Sequence, residues 1–233
     1  MNRYKKNASK VVFSVLTGIL CITTYAQKQP DAGIWATFTV EKDFTKKLTV
    51  GVDQEMRLRE NYSRLNLFYT NPYVIYKVQK RIKLGLGYRF ISKYMYQTNS
   101  FSYRNRLMFD IAYKNKFKDV VISYRSRLQG ELRDYNCDPQ GKMPEYFWRN
   151  KFELGYDYKK ITPYIGTELR YQIIDPRNPR ANYGWHRART YAGVDYDMNK
   201  KNTFGIMYLI QQEFDLDDPG TGYILGLSYK YTL

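Results

Sequence analysis

The sequence predicts an all-β fold, a transmembrane antiparallel β-barrel of roughly 10–12 strands. Three observations predict it. The chain opens with an export leader, the remainder alternates apolar and polar residues with period two, and arginine is confined to one of the two alternating tracks.

The leader comes first. Arg3, Lys5, Lys6 and Lys10 precede an apolar run from Val11 to Ile22, and Thr24-Tyr25-Ala26 sets small residues three and one positions before a cut after Ala26. Charged, apolar and small segments in that order are a secretory signal peptide. The run is shorter than the ~20 residues a membrane-spanning helix needs. The expected division is a signal peptide over 1–26 and a barrel over 27–233. Leu20 stands before Cys21 where a lipidation site carries a small residue, so no lipid anchor is expected there.

The leader holds four of the 38 basic residues and none of the 22 acidic ones, which leaves 34 basic residues against 22 acidic, or +12, for the mature chain. Such an excess often marks a nucleic-acid binder, but an exported chain does not meet its genome. Cys137 is the sole cysteine after the leader, so no internal disulfide forms. Tyrosine accounts for 25 of 233 residues. It favours strands, and it favours the membrane interface, where a ring with a polar tip sits between lipid and water.

The strands follow in order from Ala32. Leu48, Val50, Val52, Met56 and Leu58 share one track, while Thr49, Asp53, Glu55, Arg57 and Arg59 share the other. The segment 63–78 reads as one strand, with a bulge expected at Asn71-Pro72 because proline cannot donate to a ladder. Ile82, Leu84, Leu86, Tyr88 and Phe90 then alternate with Lys83, Gly85, Gly87 and Arg89. Phe101 to Tyr113 and Val120 to Arg133 repeat the split, and further strands are expected near 146–158, 163–174, 185–198, 203–214 and 222–233. The count is eleven. A barrel with both ends in the periplasm needs an even number, so either the segment before Trp35 threads the lumen or one strand escapes the pattern.

Connections alternate in kind. Short basic turns fall at Lys46-Lys47, Gln79 to Arg81, Asn115 to Asp119, Lys159-Lys160 and Asn199 to Asn202, and longer segments at Asp134 to Glu145, Asp175 to Gly184 and Asp215 to Thr221. Tight turns at one end and longer loops at the other fit an outer-membrane barrel.

A soluble β-sandwich also alternates, and three features argue against it. Twelve arginines lie on the polar track: Arg57, Arg59, Arg89, Arg104, Arg106, Arg125, Arg127, Arg133, Arg149, Arg170, Arg187 and Arg189. An arginine facing lipid at the midplane costs about 2–4 kcal/mol, so a lipid environment explains the separation. Tyr94, Tyr96, Tyr113, Tyr156, Tyr158 and Tyr196 tip the apolar tracks, as in an aromatic girdle. The chain ends on Gly226, Tyr229, Tyr231 and Leu233, which resembles the insertion signal that the barrel assembly machinery reads.

Hairpin features extend over the mature chain: Trp35 to Phe44 with Thr45-Lys46-Lys47-Leu48, then Asp53-Gln54-Glu55-Met56-Arg57, then Tyr76-Lys77 followed by Leu84-Gly85-Leu86-Gly87-Tyr88-Arg89. In these the chain resembles the family catalogued as domain of unknown function 2490. The resemblance implies an outer-membrane barrel in a Gram-negative-type bacterium and supplies no catalytic residue.

The residues offer little for an enzyme. Lipid-hydrolysing barrels carry His and Ser two apart on a lipid-facing strand, whereas Ala188 follows His186, the sole histidine, at that spacing. His186 reads as an outward imidazole beside Trp185. One histidine and one mature cysteine exclude a His-rich or thiolate metal site, and Asp215, Asp217 and Asp218 lack the glycine and glutamate of an EF-hand loop. No cofactor and no metal are expected.

The constellation that remains is a repeated Arg-x-Arg. Arg57/Arg59, Arg104/Arg106, Arg125/Arg127 and Arg187/Arg189 recur, with Arg149/Lys151 as a relative. Spacing of two puts both side chains on one face, here the lumen. Most would stand toward the loop end, as a basic collar that draws in anionic small solutes. The competing reading is a lumen filled by arginine–carboxylate pairs. The expected function is therefore a small channel for anionic solutes. The alternatives are a closed structural barrel acting as anchor or adhesin through its loops and, behind both, a barrel lipid hydrolase. Expected partners are outer-membrane lipids and the assembly machinery.

Overall fold

The computed structural model of the protein describes residues 31–96, 98–133, 144–175, 183–214 and 219–233. The leader with Cys21, and Cys137, Asp215, Asp217 and Asp218, lie outside the described residues. Each alternating segment forms a strand: β1 (Asp31–Asp43), β2 (Leu48–Arg59), β3 (Arg64–Lys77), β4 (Ile82–Met95), β5 (Ser100–Phe117), β6 (Val120–Arg133), β7 (Glu145–Tyr156), β8 (Ile161–Ile174), β9 (Gly184–Asp197), β10 (Asn202–Glu213) and β11 (Thr221–Thr232). They hydrogen-bond in sequence order into a closed barrel. The shortest hold 12 residues, beyond the ~9–11 a tilted strand needs to cross a bilayer.

Closure is where the structure departs from an all-antiparallel wall. β1 and β11 pair in parallel, from Asp31 opposite Gly222 to Glu41 opposite Thr232. The expectation of an even count is thus corrected. Residues 31–34 belong to the wall rather than the lumen, and an odd number of strands closes because its terminal strands run the same way. Both descend from the loop end to the turn end. Asp31 accepts a 3.2 Å hydrogen bond from the Asn61 amide at the loop end, and the Leu233 amide donates to the Glu41 carbonyl at the turn end, 2.9 Å away. The loop end also carries two tight connections, residues 60–63 and 96–99, beside the three longer ones.

The bulge expected at Asn71-Pro72 is absent. Phe68 to Thr70 and Tyr73 to Lys77 keep one register against β4 on either side of the proline, which leaves a gap in the ladder but adds no residue. Pro72 lacks a donor, and a missing donor alone shifts nothing. The register shifts instead at the loop end, where Asn66 is extra between β2 and β3 and His186 between β8 and β9.

Outward positions are apolar and exposed: Phe38, Met56, Phe68, Leu86, Leu107, Phe109, Leu128, Phe152, Leu154 and Ile165 form a continuous band. Aromatic rings edge it at both ends, among them Tyr94 against Tyr96 and Phe101, Tyr171 against Trp185, and Phe38 against Tyr229. Several polar groups in the band pair with one another: Gln54 donates to Thr70 at 2.8 Å, Tyr124 to Asn150 at 2.7 Å and Trp148 to Ser126 at 2.8 Å. This is how a surface with no water to bond keeps its polar atoms paired.

The lumen holds the buried apolar residues, Trp35, Tyr69, Ile91, Met108, Phe147, Tyr191, Leu209 and Ile224. Trp35, Tyr191, Leu209 and Ile224 form one cluster, with Tyr164 and Met207 against it. Two tyrosine rings need glycine in the next strand. A Cβ at Gly166 would stand 2.3 Å from Tyr191 Oη, and one at Gly193 would stand 2.6 Å from Tyr164 Oη.

Candidate functional site

Above that waist, toward the loop end, lies a cavity of about 620 Å³. Period-two alternation brings its lining residues together by aiming alternate side chains of every strand inward. Its lining includes seven members of the predicted collar: Arg57, Arg59, Arg104, Arg106, Arg149, Arg187 and Arg189. Three members are placed elsewhere. Arg125 and Arg127 line a lower cavity of about 250 Å³, and Lys151 lines neither, its Nζ lying 2.9 Å from Glu153 and 5.0 Å from the centre of the Tyr191 ring. Arg125 and Arg127 stand toward the middle of β6, and Lys151 lies opposite Arg125 in the β6–β7 register. Four further cations line the upper cavity outside the predicted collar: Arg89, Lys93, Arg133 and Arg170. They stand singly on the polar track, so a search for doublets passes over them.

Carboxylates compensate most of the arginines. Glu131 takes Arg104 at 3.1 Å and Arg106 as well. Glu168 is a hub for three guanidiniums: Arg149 at 2.5 Å and Arg189 at 3.0 Å share Oε1, and Arg125 reaches Oε2 at 3.0 Å. Arg127 holds Asp110 with two bonds of 2.6 Å, Arg133 approaches Glu145 at 2.5 Å, and Arg187 pairs with Glu213. Arg57 bonds Glu55 at 2.5 Å and lies 3.7 Å from the Trp35 ring centre. Arg89 lies 3.7 Å from the Tyr69 ring centre, and Arg170 lies 4.7 Å from that of Phe147. Neither of these two forms a carboxylate ion pair among the described residues.

The result is a filled but positively biased cup. Eleven basic and six acidic residues line it, an excess of five positive charges among the described lining residues. Its apolar lining includes Trp35, Ile224 and Phe147, with Arg57 against the Trp35 ring and Arg170 against that of Phe147. The two cavities share no lining residue, and the buried Tyr69, Tyr191 and Leu209 line neither of them.

His186 is not on the outward face. As the extra residue of the β8–β9 shift it is 3% exposed. A one-residue insertion cancels the parity from which an outward position was expected. Three of the four residues of the expected insertion signal lie in β11: Gly226 packs inward against Met207, Tyr229 stacks outward on Phe38, and Tyr231 follows on the same track; Leu233 comes directly after the strand. No group of three metal-ligating residues occurs among the described residues.

Comparison with known proteins places the chain by fold. The family described as protein of unknown function (DUF2490) matches residues 32–220. No curated protein matches. Among solved structures, a bacterial polysaccharide outer membrane secretin is similar at 12% identity and a TM-score of 0.48. That match covers 80% of this chain, which spans 63% of the secretin chain. The β domain of the Bordetella autotransporter Brka is similar at 10% identity and a TM-score of 0.51, covering 80% of this chain and 84% of that one. The second likeness shows an outer-membrane-type barrel fold.

Proposed function

The chain belongs to the family described as protein of unknown function (DUF2490), and on that premise we propose that it is an outer-membrane protein that binds anions in a blind cup and does not conduct them. In this reading the leader over 1–26 is removed on export. Gly226, Tyr229, Tyr231 and Leu233 are read by the barrel assembly machinery, and the outward band meets membrane lipid. The loop end, with the cup, faces the cell exterior, as the longer connections of such barrels do.

One observation carries the reading. A cup with an excess of five positive charges ends on a waist of packed side chains, below which a separate cavity begins. Low-dielectric walls strengthen the field of such a cup, while the waist leaves no shared opening. Binding at the mouth is what this arrangement favours, and no reaction is assigned to it.

The test has two parts. The protein should fractionate with the outer membrane and show heat-modifiable mobility, and purified protein in a planar bilayer should give no steady current. Recovery from the soluble periplasm would remove the membrane assignment. Steady anion-selective conductance would replace the blind cup with a channel.

A further inference from the structure

Register places four arginines side by side across four neighbouring strands. Arg127 on β6 faces Arg149 on β7, Arg149 faces Arg170 on β8, and Arg170 faces Arg187 on β9. Asp110 flanks the row at one end and Glu213 at the other. Directly opposed Cβ atoms stand about 4.5–5.5 Å apart, and like charges so placed destabilise a sheet. The flanking acids neutralise the outer pair, since Asp110 holds Arg127 and Glu213 holds Arg187. Arg149 shares Glu168 with Arg125 and Arg189. Among the described residues Arg170 has no carboxylate partner; its guanidinium carbon lies 4.7 Å from the Phe147 ring centre, and its Nε is buried with no hydrogen-bond partner. One carboxylate against three guanidiniums leaves two positive charges at the Glu168 hub, and Arg170 adds a third.

From this row we infer a phosphate-binding site, centred on Arg170 and flanked by Arg149 and Arg187, in the wall of the upper cavity. The inference rests on the blind-cup reading and names its ligand class. All three residues line the cavity. Guanidinium forks match the paired oxygens of an oxyanion, whereas a halide accepts no bidentate bond. Of the three arginines, Glu213 matches Arg187 and Arg149 shares Glu168, so the site keeps a net positive charge that an oxyanion offsets. A phosphate seated between the forks gives the Arg170 guanidinium an anionic partner and relieves the repulsion along the row. A cavity of about 620 Å³ also leaves room for the group that carries the phosphate. That carrier is either a soluble phosphate ester or the phosphorylated sugar headgroup of a surface lipid.

Inorganic phosphate is the first probe, with chloride at equal ionic strength as control. Calorimetric titration of the purified barrel should show saturable phosphate binding, and its melting temperature should rise with phosphate and not with chloride. Arg170→Gln should weaken phosphate binding about tenfold or more, the loss of a charge-assisted bond. It should also melt higher than the wild type without ligand, because the row loses one repelling charge. Lys116→Gln, at the far turn end, should bind as the wild type does. A wild type indifferent to phosphate, or an Arg170→Gln variant that melts lower and binds equally well, overturns the site. Glucose 6-phosphate against vesicles containing phosphorylated lipid A then separates the two carriers. Conductance is read on the same samples: a conducting barrel that binds phosphate at Arg170 defeats the blind cup and keeps the site, and a silent barrel that ignores phosphate does the reverse.

Discussion

The guanidinium carbon of Arg57 lies 3.7 Å from the centre of the Trp35 ring, while Arg189 approaches the same ring at 5.0 Å. The indole is therefore held between two cations, one of which is anchored by Glu55 at 2.5 Å. A cation over a desolvated ring contributes about 2 kcal/mol. The arrangement also seals the floor of the cup, because Trp35 belongs to the apolar cluster below it. Trp35→Ala should cost about 3–5 kcal/mol of stability through lost contacts and a cavity. It should also turn a silent barrel into a conducting one. Melting in detergent and current in a planar bilayer measure both. An unchanged melting temperature would mean that the waist does not depend on this ring.

Glu168 predicts an asymmetry. Glu168→Gln leaves three guanidiniums in the lumen wall with one neutral neighbour, and losing one side of a buried ion network costs about 3–5 kcal/mol. Arg125→Gln leaves the same carboxylate with Arg149 and Arg189 still in place. It should therefore cost much less. Thermal melts of the two variants decide it, and equal losses would show that the hub is not the organising charge.

Gly166 predicts a packing failure. An alanine methyl there would sit 2.3 Å from Tyr191 Oη and 2.7 Å from the Phe152 carbonyl oxygen, so ring and backbone must both move. Overpacking of this kind costs about 1–3 kcal/mol. Gly166→Ala should lower the melting temperature, and Gly166→Ala with Tyr191→Leu, which removes the ring atoms Oη and Cζ at 2.3 and 2.4 Å, should restore part of it.

The parallel seam predicts sidedness. In a Cys137→Ser background, Asn61→Cys should react with a membrane-impermeant maleimide on intact cells. Lys46→Cys, at the opposite end, should react once the outer membrane is breached. Labelling of both on intact cells would mean that the barrel does not span the membrane in one orientation.

Period-two alternation made the strands legible, and all eleven appear. The arginine track made the lumen face legible, because alternate residues of a strand point to opposite faces. Pairing between strands was less legible. Which acid meets which arginine depends on tilt and register, and neither leaves a mark within a single strand. Arg125 and Arg127 lie toward the middle of their strand, as their sequence position implies, whereas Lys151, expected near the loop end beside Arg149, pairs in register with Arg125. His186 shows the same limit at one residue, since a bulge reverses parity without any unusual residue to announce it. The waist was missed for another reason. Trp35, Tyr191, Leu209 and Ile224 stand on four different strands, and no one strand shows the cluster that they form once β1, β9, β10 and β11 are neighbours.

Counted by its turn-end connections, the wall is five hairpins and a remainder: β1 with β2, β3 with β4, β5 with β6, β7 with β8, β9 with β10, and then β11 alone. The remainder closes the ring through a parallel ladder, the weaker kind per residue. Pulled from its carboxyl end, the barrel should surrender one strand before anything else. Each later event removes a hairpin, so a force–extension trace should begin with a step shorter than those after it. The seam that permits an odd number thus also sets the order in which the barrel comes apart.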